Sequence, residues 1–231
     1  MFIGHYAPAF AARALRNSPG LATCFVAVQL VDIAFFTLAY LGVEKWRPDP
    51  GITGIMPVDL YYMPFTHSLL GSAVWALAAG AVVLVLARRG RKAIGAAIVS
   101  ALVFSHWLLD LVVHRHDLGV LDDEPHKLGF GLWDRPMIEM PLEIGLVLAG
   151  FVLYAASTRA RGASGRWWMW SALVVLLILQ CINWFAPPPQ GAVAFSGLGL
   201  FAYAVCAALA WQLERTRQSR RNPEAATAFG A

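Results

Sequence analysis

The sequence predicts an all-α polytopic membrane bundle of about six transmembrane helices. Residues are 58% hydrophobic and only 14% charged, apolar runs recur at bilayer-spanning length, and Lys and Arg collect at alternate ends of those runs. A mean hydropathy of +0.59 does not suit a water-facing surface.

A helix needs roughly 20 apolar residues to cross a hydrocarbon core of about 30 Å. Runs near 21–43, 66–87, 93–113, 141–157, 167–185 and 193–213 meet that requirement. The first opens behind Pro19-Gly20 and stops at Glu44. The second opens behind Pro64 and stops at Arg88; the third lies between Lys92 and His114. The fourth is the shortest, and Met137, Ile138 and Met140 extend its apolar pattern upstream across two acids. Arg166 precedes the fifth and Gly191 the sixth. Together they predict one transmembrane domain over 1–217, while 218–231 is polar and small-residue enough to read as a disordered tail. Phe2 to Leu15 predicts an additional short membrane-inserted or interfacial helix. It lacks a charged start and a small-residue cleavage site, so it is expected to stay on the mature protein.

Thirteen of the eighteen basic residues fall on one side of the six-helix arrangement, in short turns such as Arg88-Arg89-Gly90-Arg91-Lys92. Positively charged loops stay cytoplasmic, which predicts both termini inside and two long loops, 44–65 and 114–139, outside. Membrane orientation accounts for the net charge of +4 better than nucleic acid does, and no nucleic-acid partner is expected. The three cysteines, Cys24, Cys181 and Cys206, lie in apolar runs without metal-type or disulfide-type spacing and read as packing residues.

Ionisable groups inside hydrocarbon are costly, so each one invites a functional assignment. Asp32 lies mid-run, His67 opens the second run, His106 and Asp110 lie in the outer half of the third, His114 ends it, and Glu143 opens the fourth. His106, Asp110 and His114 are spaced i, i+4, i+8 and so project from roughly one helical face. Imidazole nitrogen and carboxylate oxygen in that arrangement suit a divalent metal, zinc first, with manganese or iron as alternatives. At about 1.5 Å per residue, Asp32, His106 and Asp110 fall in the upper half of the bilayer, and His67 somewhat higher unless the chain unwinds after Pro64. A helical hairpin turning at 13–20 would bring His5 to the depth of Asp32. Each also has a plain alternative: Asp32 as a lone buried acid, His67 as an interfacial cap, Glu143 as an interfacial acid, and His114, His116 and His126 as solvated loop histidines.

Gly4-His5, Asp32, Phe65-Thr66-His67-Ser68-Leu69 and Ser105-His106-x-x-x-Asp110, in this order, resemble the YdjM-like family of inner-membrane metal-dependent hydrolases over residues 1–115. The resemblance implies a bacterial inner-membrane protein with a metal site at His5, Asp32, His67, His106 and Asp110. Val31-Asp32-Ile33 offers a single Asp where the family pattern carries an acidic pair. If the chain is a hydrolase, Glu143 or His114 would take a proton, and Arg115 or Arg135 would hold an anionic headgroup. The expected substrate is a membrane lipid or other amphiphile, an ester, phosphoester or amide reached from the outer side. A metal-ion or proton transporter using the same cluster is the rival from another class, and a non-catalytic, metal-stabilised bundle is the third.

Overall fold

The computed structural model describes residues 1–15, 17–86, 92–121 and 126–220. Among the described residues five helices are long and apolar enough to cross a membrane: α4 (Leu69–Leu86), α5 (Lys92–Val113), α6 (Pro136–Ser157), α7 (Ala163–Phe185) and α8 (Ala192–Thr216). Two shorter helices, α2 (Leu21–Val28) and α3 (Leu30–Tyr40), meet at Gln29 with a bend of 53° and make a sixth candidate span when taken together. The sequence predicts one uninterrupted helix there, and the structure breaks it. The chain is an all-helical membrane bundle, with α4 and α5 as an antiparallel hairpin and α8 packed along α2, α3 and α7.

The amino-terminal segment forms a 3-10 turn (Ile3–His5) running into α1 (Tyr6–Ala12). It is not interfacial: Ile3, Ala9 and Phe10 are fully buried, and α1 lies against α6 and α2. The approach to α6 is close enough that a Cβ on Gly150 would meet the Ala7 carbonyl oxygen at 2.6 Å. Only glycine permits that contact without displacing backbone.

Helix α6 begins at Pro136, five residues before the expected start, with Pro136 at the first helical position and Pro141 inside the helix. Proline suits the first position because its missing N–H would have had no intrahelical partner. The longer helix brings Glu139 and Glu143 into the bundle, where both are buried.

Each end of the bundle carries a small antiparallel sheet. At one end β1 (Lys45–Pro48) pairs with β2 (Val58–Tyr62), Arg47 opposite Asp59. The loop after α5 folds beside it, closed by two main-chain bonds between Leu118 and Leu128. Gly129, at φ +148°, would place a Cβ 2.0 Å from the Arg115 carbonyl oxygen, so the loop can lie against the end of α5 only with glycine there. At the other end β3 (Thr158–Ala160) pairs with β4 (Arg217–Ser219), and the Arg217 guanidinium donates to Thr158 Oγ1 and the Gly165 carbonyl. Burial lowers the Arg217 pKa from its ordinary value. Gln218 and Ser219, expected within the tail, belong to this strand; 221–231 of that expectation lie outside the described residues.

Candidate metal centre

The break at Gln29 places the Val28 carbonyl within 2.7 Å of His106 Nδ1 on α5. A carbonyl only accepts, so Nδ1 carries the proton and Nε2 faces the opposite way. There it meets Asp110 Oδ2 at 2.9 Å and Asp32 Oδ1 at 3.5 Å, without an aligned hydrogen bond to either. A lone pair that close to a carboxylate is repelled unless positive charge lies between them, as a proton or a metal cation.

His67 is fixed by the same logic in a different way. It lies not in the second helix but in the turn between β2 and α4, held by its N–H to the Met63 carbonyl. Its Nδ1 is 2.8 Å from Thr66 Oγ1, whose own proton goes to Glu44 Oε2 at 2.7 Å. The hydroxyl must therefore accept from Nδ1, which turns Nε2 toward Asp32 Oδ1 at 3.2 Å and Asp110 Oδ2 at 3.7 Å. Glu44 Oε1 also accepts from the Phe65 and Thr66 amides. Burial pushes the Glu44 carboxyl up from its ordinary value, while these donors pull against it.

His114 is buried, not a solvated loop residue. Its Nδ1 donates to Asp117 Oδ1 at 2.9 Å, its ring packs 4.1 Å from that of Trp133, and Nε2 lies 3.8 Å from Asp110 Oδ1. His5 completes the cluster: its Nε2 is 3.1 Å from Asp110 Oδ1, and its ring stacks on His106 at 3.8 Å with 8° between planes. The amino-terminal hairpin thus delivers His5 to the site. His116 and His126 are exposed.

Three overlapping triads result, each with its ligand atoms within 4.8 Å of one another: His5, His106 and Asp110; Asp32, His67 and His106; His67, Asp110 and His114. A metal ion can be held here. Three imidazoles are oriented through Nδ1 by a carbonyl, a carboxylate-backed hydroxyl and a carboxylate, the outer-shell pattern that metal-ligating histidines show. The donor set fits a divalent cation, and the stripe predicted on α5 contributes all three of its members.

The remaining predicted residues are placed elsewhere. Glu143 Oε1 accepts from the Phe2 and Gly4 amides at 2.5 and 3.0 Å, and Oε2 accepts from Gln180 Nε2 at 2.9 Å. It fastens the segment that carries His5 and belongs to none of the triads. Arg115 bonds Asp59 and reaches Asp117 at 3.4 Å, and Arg135 is exposed at the start of α6.

The centre forms the floor of a cavity of about 370 Å³ whose walls include Phe35, Phe36, Trp133, Phe195 and Tyr203. Neither Arg115 nor Arg135 lines it. Asp32 is the more open carboxylate, its side chain 15% exposed against 2% for Asp110, and Tyr203 donates to its Oδ2 at 2.6 Å. Sequence reasoning missed Tyr203, Glu44, Asp117 and Gln180. The two acids carried a weak signal, each lying within three residues of an aromatic or histidine beside a span end; Tyr203 and Gln180 carried none. Comparison with protein-family models, with curated proteins and with solved structures finds no match for this chain.

Proposed function

We propose that this protein is a membrane-embedded, metal-dependent hydrolase acting on a lipid or other amphiphile. The observation that carries the proposal is the convergence of three Nδ1-anchored imidazoles on Asp32 and Asp110 at the floor of an aromatic cavity. His67, His106, His114 and Asp110 would hold the cation, with His5 and Asp32 flanking. Zinc is the best fit to this nitrogen and oxygen set, with manganese or iron as alternatives. When bound, such an ion supplies a Lewis acid and brings the pKa of water toward neutrality.

The chain's own groups account for the remaining steps. Asp32, the carboxylate that opens to the cavity, takes the proton of the attacking water and returns it to the leaving oxygen. Tyr203 holds Asp32 in place through its hydroxyl. Water oxygen joins the acyl carbon or phosphorus, the bond to the leaving oxygen breaks, and an acid and an alcohol result. The motifs over residues 1–115 and the basic turns support the same reading: a bacterial inner-membrane protein with both termini cytoplasmic and the cavity on the outer side.

A transport pathway is disfavoured by what lies on the far side of the cluster. There Val28, Val99, Leu102, Val103, Leu176 and Cys206 form a continuous buried apolar core, where a relay would require polar groups. The test is metal content and turnover. Purified protein is expected to carry stoichiometric metal that the His106→Ala, Asp110→Ala double variant lacks, and to hydrolyse members of a lipid panel in a manner abolished by chelation and restored by metal. Equal metal in both proteins, or no turnover with any divalent metal, removes the proposal.

A further inference from the structure

At the end of the bundle away from the β1–β2 hairpin, three helix ends are tied into one cap. Strands β3 and β4 join the end of α6 to the end of α8, and the Arg161 and Arg220 amides extend the pairing by donating to the Thr216 and Ser157 carbonyls, both at 2.9 Å. The first turn of α7 closes on the same point, where a Cβ on Gly165 would collide with the Thr216 carbonyl oxygen. Arg217 is buried in this junction and bonds Thr158 and Gly165.

Alternation along the strands sorts the side chains. Thr158 and Arg217 are buried, whereas Arg159, Arg161 and Arg220 are exposed. With the Gln218 amide oxygen turned toward it, Arg159 donates from Nε and Nη2 at 2.6 and 2.9 Å. Arg220 donates from Nε to the Thr158 carbonyl at 3.1 Å. A guanidinium has five N–H groups, so both are held in place with donors to spare. Among the described residues the arginines paired with a carboxylate are Arg47 and Arg115, both at the other end. Glu214, the one acid at this end among the described residues, accepts from the Ala22 amide.

Membrane orientation requires basic residues near the span ends but no fixed arrangement of them. Holding three guanidiniums on one small, bonded surface incurs like-charge repulsion, which a polyanion offsets. Depth chooses the polyanion. Trp167 and Trp170 on α7 and Trp211 on α8 are 74%, 57% and 52% exposed, as indoles at a bilayer surface are. They lie four to seven residues inside the helix ends, which at about 1.5 Å per residue sets the sheet roughly 6–11 Å outside them. The headgroup layer is about 5–8 Å thick on each side of the hydrocarbon, so the sheet stands at the level of the lipid phosphates.

We propose that the β3–β4 sheet is a docking surface for anionic phospholipids of the leaflet it faces, with Arg159, Arg161 and Arg220 taking the phosphate groups through their planar forks. The proposal is independent of the metal centre and of the hydrolase reading.

The test is lipid titration of the purified full-length protein in detergent, read by native mass spectrometry, with dioleoylphosphatidylglycerol against dioleoylphosphatidylcholine. The anionic lipid is expected to bind about 100-fold more tightly, from about fivefold for each arginine. The preference is lost in the triple variant Arg159→Gln, Arg161→Gln, Arg220→Gln. Arg161→Gln alone, which removes no hydrogen bond described above, is expected to lose about fivefold at an unchanged thermal midpoint, so the outcome does not hang on the folding of the triple variant. Lys45→Gln, Lys127→Gln, Arg135→Gln removes the same charge from the other end and keeps the preference. Equal binding of the two lipids, an equal loss in that control, or displacement of the bound lipid by inorganic phosphate or a single-stranded oligonucleotide at matched concentration overturns the proposal.

Discussion

His106 donates from Nδ1 to the main-chain carbonyl of Val28 across 2.7 Å, so a histidine of α5 takes its orientation from the bend between α2 and α3. The asparagine amide nitrogen reproduces the position of Nδ1 but supplies nothing in place of Nε2. His106→Asn is therefore expected to lose metal while keeping the fold. His106→Ala loses metal and also leaves the carbonyl unpaired, at a cost of about 1–3 kcal/mol. Elemental analysis and thermal unfolding of the two variants separate these effects, and full metal occupancy in His106→Asn would argue against Nε2 ligation.

Glu44 touches no candidate ligand, yet its carboxylate sets the direction of the Thr66 hydroxyl and through it the tautomer of His67. Glu44→Ala is expected to weaken metal binding roughly 10–100-fold. Glu44→Gln, which can still accept from Thr66, should recover much of that loss. Competition with a chromophoric chelator measures both, and an unchanged affinity in Glu44→Ala would remove the linkage.

Glu143 bonds the Phe2 and Gly4 amides, so it acts as a positioning residue. Glu143→Gln keeps an acceptor oxygen for those amides, gives up the bond from Gln180 Nε2, and is expected to retain activity. A general base replaced in this way would lose about 10²–10⁴-fold. Glu143→Leu should raise hydrogen exchange at Phe2 and Gly4 and lower metal occupancy, effects a proton-transfer role alone would not produce.

Gly150 permits the close crossing of α6 by α1. Gly150→Val is expected to destabilise the protein by about 1–3 kcal/mol and to displace His5, lowering the thermal midpoint and the metal affinity together. A variant as stable as the parent would show that α1 tolerates displacement.

Removing the cation leaves Asp32 and Asp110 facing imidazole lone pairs in a buried site, with the Met1 ammonium still on Asp110 Oδ1 at 3.0 Å. Chelation is expected to lower thermal stability, and metal at about 100-fold over Kd should restore roughly 2.7 kcal/mol. Restoration should weaken as pH falls, because ligand imidazoles and carboxylates must be deprotonated to bind. A midpoint indifferent to both chelator and metal would indicate that the centre is held by protons alone.

The spans were legible because run length and flanking charge are imposed by the bilayer, and α5 carried its own stripe of His106, Asp110 and His114 at helical spacing. The bend at Gln29 was not. A single glutamine in an apolar run announces no break; here its side chain bonds the Phe2 carbonyl across the bundle. The start of α6 was misplaced because Pro136 and Pro141 are both plausible openings, and packing chose the first. His114 reads as solvated because it sits where the run ends, and it is the packing of Asp117, Gly131 and Trp133 against that end that buries it. Glu143 reads in the sequence as a candidate proton acceptor, and its bonds from the Phe2 and Gly4 amides and from Gln180 Nε2 are displayed by no residue pattern.

The tether of His5 bears on biogenesis. Its holders, Asp110, Glu143 and, through the Ile3 amide, Gln180, lie 105 to 177 residues downstream of their partners. Contacts of such long sequence separation form late, since the intervening chain must first be ordered. While the ribosome is still delivering α2 to α5, the amino-terminal hairpin has neither α6 to pack on nor Glu143 to fasten it. Residues 30 to 110 can gather Asp32, His67, His106 and Asp110 at that stage, but His114 is fixed by Asp117 and Trp133, and His5 takes its place only after α7 has been inserted. Placement of His5 thus reports delivery of the chain through α7, and nascent chains truncated before residue 180 should emerge with His5 unplaced.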